Sequence, residues 1–294
     1  MTSVTIVIAS RNRRERLLAS IPHHLALPER PAVIVVDDAS TDGSPEAVEA
    51  AFPEVTVLRR RTSVGGAARN SGILAAATPY VALADDDSWY EPGALVRAAT
   101  ILDADPRVAV INAHVMVDGG RRDDATCLEM AASPLPPAPG QPGRPVLSFI
   151  ACGAIVRRAA VLEVGGFDAR LGIGGEEELL AWDMAARGWL MSYVPEVIAH
   201  HDPPPQAGGR PERRERGIRN TLWTTWLRRP AGAAARRTAR QIVRLPRDRH
   251  TVRALAQAVG GLPWLHRERR VLPAEVERRV RMLEDAQLAR RDYA

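Results

Sequence analysis

Three consecutive aspartates, Asp85, Asp86 and Asp87, close a short apolar run, Tyr80 to Ala84, in the stretch YVALADDDSWYEP. Adjacent carboxylates repel one another and lose hydration when a site closes, so a simple turn seldom selects them. A hard divalent cation relieves that repulsion, because magnesium and manganese take carboxylate oxygens and share them with substrate phosphates. A solvated acidic turn before a helix start at Pro92 explains the triplet about as well when it is read alone. A second acid cluster, Glu176, Glu177 and Glu178, follows Gly174 and Gly175 and opens the helical pattern EEELLAWDMAARG. Capping accounts for any one of these glutamates, since a helix N-terminus favours negative charge. Three acids behind a glycine hinge also suit a general base, because neighbouring carboxylates raise one another's proton affinity. His200 and His201 end the strand-like run VPEVIA. A lone buried histidine is usually structural, but a pair beyond a strand end can complete a metal shell with an aspartate.

The elements that must position these groups alternate. Val4 to Ala9 is a continuous apolar, β-branched run of the length of a strand buried on both faces, and a helical segment with Leu17, Leu18 and Ile21 follows it. Ala32 to Val36 is the next strand and ends at Asp37 and Asp38; Ser44 and Pro45 then read as N-cap and first helical residue. Val55 to Leu58 is a third strand, Val64 to Ala77 a Gly-Gly turn running into a helix, and Tyr80 to Ala84 a fourth strand. Such alternation predicts a parallel sheet with right-handed crossovers, in which ligands bind beyond the carboxyl ends of the strands. Ser10, Arg11, Asn12, Asp37, Asp38 and Asp85 to Asp87 therefore edge one crevice. No GxGxxG follows the first strand, which disfavours a nicotinamide dinucleotide fold. A helix at Gly93 to Leu102 and a strand at Val108 to Asn112 follow. MVDGGRRDDAT and the proline-rich SPLPPAPGQPGRP read as loop and extended crossing, and Phe149 to Val156 as strand.

The 294 residues, 46% hydrophobic, are enough to bury a sizeable core and do not read as disordered. Residues 1–202 hold 18 Arg against 26 Asp and Glu, a net of −8, while residues 203–294 hold 22 Arg against 9, a net of +13. Every basic residue is Arg, which with the abundant Ala and Pro fits genomic base composition better than selection for a ligand. Cys127 and Cys152 form no CxxC pair and read as reduced thiols. With a strand starting at Val4 there is no room for a charged leader, and no apolar stretch reaches the ~18 residues of a membrane span. The expected location is cytoplasmic, free or at the inner face of the membrane. The tail reads as helical, with Ile218, Leu222 and Trp226 at i+4 steps. Packing on the preceding domain is its first reading, contact with an anionic membrane the second, and nucleic-acid binding the last, since no recognised module is present.

In this order and at these intervals, VTIVIASRNR, VVDDASTDGS, GGAARNSGI, LADDDSWYEPGAL, VGGFD, GGEEELL and VIAHH resemble the inverting family 2 glycosyltransferases of the GT-A fold over roughly residues 3–202. The resemblance implies an α/β fold with a Rossmann-like, mostly parallel central sheet flanked by helices, followed by a helical C-terminal extension. Residues 1–202 would form the catalytic domain, with a nucleotide-binding half (1–112) and an acceptor and base half (113–202); residues 203–294 would be the basic extension. It also implies a nucleotide-diphosphate sugar as donor, manganese or magnesium as cofactor, and a hydroxyl of a saccharide, lipid-linked or small-molecule acceptor. Carried over by position, Asp38 with Asp37 would read the nucleotide base, with Ala9, Arg11 and Arg69 also on the donor side. Asp85 and Asp86 would lie near ribose and phosphate, Asp87 and His200 would hold the metal, and Glu177 would be the base. Two departures stand out. The family's frequent Pro-Thr-aromatic-Asn is Ala9, Ser10, Arg11, Asn12 here. Its Glu-Asp pair is Glu-Glu, with Asp183 where an Arg often follows, which leaves the base open among Glu176, Glu177 and Glu178. Two other readings compete: a nucleotidylyltransferase on a similar sheet, which would want a glycine-rich, basic first loop, and a non-catalytic nucleotide- or RNA-binding protein.

Overall fold

Burial on both faces explains why VTIVIAS is apolar at almost every position: in the computed structural model, which describes residues 3–203 and 211–292, this segment lies inside the central sheet. The strands in chain order are β1 (Val4–Ser10), β2 (Ala32–Asp37), β3 (Thr56–Arg59), β4 (Tyr80–Ala84), β5 (Ser88–Tyr90), β6 (Val108–Val117), the two-residue β7 (Arg122–Asp123) and β8 (Arg144–Pro145), β9 (Ala154–Arg157) and β10 (Leu190–His201). They form one sheet in the order β3-β2-β1-β4-β9-β6-β10-β5, with β7 on β6 and β8 on β10. The β1, β2, β3 and β4 pairings are parallel, as is β6 with β10, whereas β9 runs antiparallel between β4 and β6. The register sets Ser10 beside Asp37 and Ile8 beside Ala84, so the residues following β4 come level with the end of β1.

Helices α1 (Arg14–Leu25), α2 (Ser44–Ala51), α3 (Arg69–Ala75), α4 (Ala94–Ala104), α5 (Ala125–Ala131), α6 (Arg158–Glu163) and α7 (Glu176–Ala186) are interleaved with the strands. Three segments differ from the sequence expectation. After the aspartates the chain forms β5 before α4, antiparallel to β10, and the Tyr90 hydroxyl fixes it by donating to the carbonyls of Leu83 (2.7 Å) and Ala154 (3.2 Å). The strand at Val108 continues to Val117 and returns through β7, so MVDGGRRDDAT is a hairpin, and Asp124 then caps α5 by accepting from the Thr126 amide (2.8 Å). Only Ala154–Arg157 of the apolar run at Phe149 is strand; a single 3-10 turn, Ala151–Gly153, precedes it.

The tail folds as α8 (Pro211–Arg228), α9 (Ala231–Arg244), α10 (Arg249–Gly260), α11 (Leu262–Glu268) and α12 (Ala274–Asp292). Ile218, Leu222, Trp223 and Leu227 of α8 join Ala254, Ala258 and Leu265 in a second apolar cluster that also takes in Leu171 and Leu179. Leu272, Val276 and Val280 pack into the main core. The tail helices therefore pack on the sheet domain, the first of the expected readings. Buried Arg229 holds them in place through Glu277 (2.6 Å) and Glu284 (2.7 Å), a network in which loss of one partner would cost roughly 3–5 kcal/mol.

Candidate active site

The turn after β4 is built by Ser88, whose hydroxyl accepts from the Asp85 amide (2.8 Å) while its own amide donates to the Asp85 carbonyl (3.2 Å). The chain therefore doubles back at the aspartates and presents them at the carboxyl ends of β1 and β2. Asp86 accepts from the Ser10 hydroxyl (2.7 Å). Burial, partly countered by Ser10, pushes its carboxyl up to about 6. Asp85 pairs with Arg69 (2.6 Å). Asp87 lies 3.3 Å from His201 Nε2 and 3.6 Å from Arg16, and its carbonyl accepts from the Asp202 amide (2.8 Å).

The histidine beside the aspartates is His201, not His200. Successive strand residues face opposite sides, and the β5–β10 register sets His200 against Trp89 and His201 against Ser88. His200 instead bonds to Glu91 (2.9 Å) and stacks on Trp89, which stacks in turn on His23. The expectation that His200 approaches Asp87 is thus corrected to its neighbour, because the pairing of the unforeseen β5 fixes the parity. The pKa of His201 is raised: burial opposes the charge, but the Asp87 hydrogen bond and the charges of Asp87 and Asp85 outweigh it.

Asp38 and Asp37 act on loops. The Asp38 carboxylate accepts from the Ser63 hydroxyl (2.6 Å) and the amides of Val64 and Gly65 (2.9 Å each), and Arg60 approaches at 3.6 Å. Asp37 accepts from the Ser40 amide (3.1 Å). Ala9 is half-buried next to the end of β1, and Arg11 is exposed at the mouth of the crevice.

Arg69, only 8% exposed, is the hinge of the site. It reaches Asp85 on one side and lies 3.8 Å from Glu176 on the other. Burial alone would depress its pKa, but Asp85, Glu177 and Glu176 raise it, so the guanidinium stays charged. The glutamates divide by neighbour. Glu176, 2% exposed, accepts from the Gly174 amide and packs so closely on Gly66 that a Cβ there would meet its Oε1 at 2.3 Å. Glu178 is paired with Arg237 of α9 (3.1 Å). Glu177 is left with a hydrogen bond to Glu176 and the fields of Arg69 and Asp85. Burial first, then the charge of Glu176, raises its carboxyl to about 8, the range a general base needs.

The loop before α7 is held from both sides. The Gly66 amide donates to the Gly172 carbonyl (2.7 Å), and a side chain at Gly65 would meet the Gly172 backbone at 2.7 Å, which is why glycine is required there. From the tail, fully buried Asn220 donates to the carbonyls of Leu171 (2.8 Å) and Gly174 (2.6 Å), and Arg228 pairs with Asp183. The aspartate standing where an arginine was expected is thus the partner of a tail arginine.

Carboxylates at 85 and 87 with an imidazole at 201 suit a divalent cation: oxygens of Asp85, a ring nitrogen of His201 and the thiol of Cys152 lie within 4.8 Å of one another. Asp86, Asp87, Arg69, His201 and Glu177 converge, whereas His200 does not. Sequence reading missed His201 as the inward member, Cys152 and Asn220. Asn220 left one trace, a polar residue three and seven positions before Trp223 and Leu227 and so on the apolar face that those two define.

The model of glycosyl transferase family 2 matches residues 5–165. A pre-mycofactocin glycosyltransferase of Mycobacterium tuberculosis is 32% identical over 209 residues, 68% of this chain and 42% of that protein, so the chain spans less than half the length of this relative. An N-acetylglucosaminyl-diphospho-decaprenol L-rhamnosyltransferase of the same organism is 29% identical over 64% of this chain and 71% of its own. Among solved structures, a mannosyltransferase from Pyrobaculum calidifontis in complex with GDP-Man and Mn2+ superposes with a TM-score of 0.60 over 98% of this chain and 75% of that one, at 20% identity.

Proposed function

The chain belongs to glycosyl transferase family 2, and from that premise we propose that it transfers a sugar, with inversion, from a nucleotide-diphosphate donor to an acceptor hydroxyl in a reaction that uses a divalent cation. One observation carries this reading: buried Arg69 stands between Asp85 and the pair Glu176–Glu177, joining the donor-side acids to a carboxyl held in the range of a base. In this reading residues 1–202 carry the chemistry and residues 203–294 brace it. Ala9, Arg11 and the loops held by Asp37 and Asp38 frame the base end of the donor; Arg69, Asp85 and Asp86 face ribose and phosphate. Asp87 and Asp85 would hold the cation, with His201 beside them. The cation, when bound, supplies charge neutralisation for the departing diphosphate.

Glu177 accepts the proton of the acceptor hydroxyl as its oxygen attacks the anomeric carbon and the bond to the diphosphate breaks on the opposite side. A single displacement of this kind inverts the anomeric centre. Arg69 keeps Glu177 oriented and offsets the charge that gathers around the leaving group. Positioned base catalysis supplies typically ~10²–10⁴-fold, so orientation by the Gly172–Gly175 loop and charge neutralisation must supply the rest. Incubation with a panel of nucleotide sugars and manganese, followed by the anomeric configuration of the product, tests this. A retained configuration would refute the single displacement.

The acceptor is proposed to be a saccharide, lipid-linked or small-molecule alcohol, met by the protein at an anionic membrane surface. Among the described residues no helix is long and apolar enough to cross a membrane. Instead Val252 (66% exposed), Ala256, Val259 (57% exposed) and Leu262 form an open apolar stripe along α10 into α11, bordered by Arg249, Arg253 and Arg267. Between Arg229 and Arg267 the tail carries seven arginines and one acid, Asp248, apart from its ends. Two such faces repel each other, whereas an anionic lipid surface attracts the arginines and buries the stripe.

A further inference from the structure

The structure assigns a further ligand to the candidate cation site, the thiol of Cys152, an inference that rests on the reading of that site as cation-binding. The two cysteines are both buried, but their surroundings differ. Cys127 is satisfied as a structural thiol: its sulfur accepts from the Val115 amide (3.2 Å) and donates to the Ala113 carbonyl (3.8 Å). Cys152 is 2% exposed, and among the described residues its sulfur has no hydrogen-bond partner. Free cysteine is commonly buried as a small hydrophobe, so an unpartnered sulfur asks for a reason only where its neighbours are themselves ligands.

The reason lies in where the sulfur points. Its Sγ, a carboxylate oxygen of Asp85 and a ring nitrogen of His201 lie within 4.8 Å of one another, and Asp87 bonds to that histidine at 3.3 Å. The three donors come from separate segments: the tip of β4, the 3-10 turn at Ala151–Gly153 and the end of β10. The turn is held in place deliberately. Buried Asn112 accepts from the Ile150 amide (2.7 Å), and a Cβ at Gly153 would meet Val115 Cγ2 at 2.6 Å, so glycine lets the turn press against β6 and carry the thiol inward.

A donor set of carboxylate, imidazole and thiolate is softer than one made of oxygens alone. Oxygen sets suit magnesium and manganese, whereas imidazole and thiolate favour zinc and cobalt(II). The site therefore binds zinc or cobalt(II) through a Cys152–metal bond in preference to magnesium. On binding, the S–H bond breaks, the sulfur keeps the electron pair for the metal, and the proton leaves to solvent.

Titration of the full chain with cobalt(II), followed by absorption spectroscopy, tests this. A thiolate-to-cobalt charge-transfer band is expected in the wild type. It should persist in Cys127→Ser, where Cys152 is the remaining thiol, and vanish in Cys152→Ser, with zinc affinity falling on the order of tenfold or more as one donor is lost. The Cys127→Ser arm identifies the ligand even if Cys152→Ser fails to fold. Cobalt binding without the band in Cys127→Ser, or binding of manganese but not of cobalt, would overturn the Cys152 assignment and leave the cation reading standing. No binding of cobalt, manganese or zinc, measured by equilibrium dialysis, would remove both.

Discussion

Replacing Asn220 with alanine isolates the contribution of the tail to the loop that precedes Glu177, the proposed base. The side chain is fully buried and its amide donates to Leu171 (2.8 Å) and Gly174 (2.6 Å), the two ends of the loop that leads into Glu176. The Leu171 carbonyl keeps a second donor, Arg219 Nη2 at 3.1 Å, so its loss is the smaller. Stranding the Gly174 carbonyl costs about 1–3 kcal/mol and weakening the Leu171 contact about 1 kcal/mol, roughly 2–4 kcal/mol together. Denaturant unfolding should show that loss as a lower midpoint with unchanged slope. The loop released is the one that sets Glu177, so kcat should fall by roughly 10²-fold for a displacement of about 1 Å. Donor KM should change little, because the groups assigned to the donor sit on β1, β2 and β4. A variant that loses stability but keeps kcat, or whose donor KM rises as kcat falls, would refute the idea that the tail positions the base.

Three further outcomes follow from the structure. Glu177 must be ionised to accept a proton, and its pKa is raised, so kcat/KM should climb with pH along an acidic limb centred well above the usual carboxylate value of about 4; Glu176→Gln, which removes the adjacent charge, should move that limb down. Because the folded form holds this proton more tightly than the unfolded form, the associated stability is present at low pH and is lost as pH rises from about 4 towards the folded value, which pH-dependent denaturation of the metal-free protein would register. In vesicle sedimentation, anionic lipid should bring the protein down and neutral lipid should not, with binding reduced by salt and by Val252→Asp with Val259→Asp; indifference to lipid charge, or a tail that shifts RNA instead, would contradict the membrane surface.

Much of this was legible in the sequence because the signals were periodic. The apolar runs VTIVIA and AVIVV can be buried only as strands inside a sheet, and the rule for parallel sheets then brings Ser10, Asp37 and Asp85 to one edge. What stayed hidden depends on partners distant in sequence. The choice between His200 and His201 turns on strand parity, set by pairing with a three-residue strand too short to show periodicity. The choice among the glutamates turns on Gly174 and Gly66, which take Glu176, and on Arg237, some sixty residues away, which takes Glu178. Asp38 looked like a group free to meet a ligand, yet two amides and a hydroxyl from residues 63–65 occupy its carboxylate. The tail read as amphipathic, but nothing local disclosed that Asn220 grips the loop before Glu176 and Arg228 the helix that follows it.

The division of labour proposed for Glu177 and Asp87 is the heart of this reading, and nucleotide diphosphate release measured beside donor binding tests it most directly. With manganese and the donor that the panel identifies, Glu177→Gln should lose at least about 10²-fold in kcat while binding the donor as tightly as the wild type. Asp87→Ala should lose metal-dependent donor binding itself. A Glu177→Gln protein that turns over at the wild-type rate, or an Asp87→Ala protein that binds donor and metal undiminished, would contradict the account.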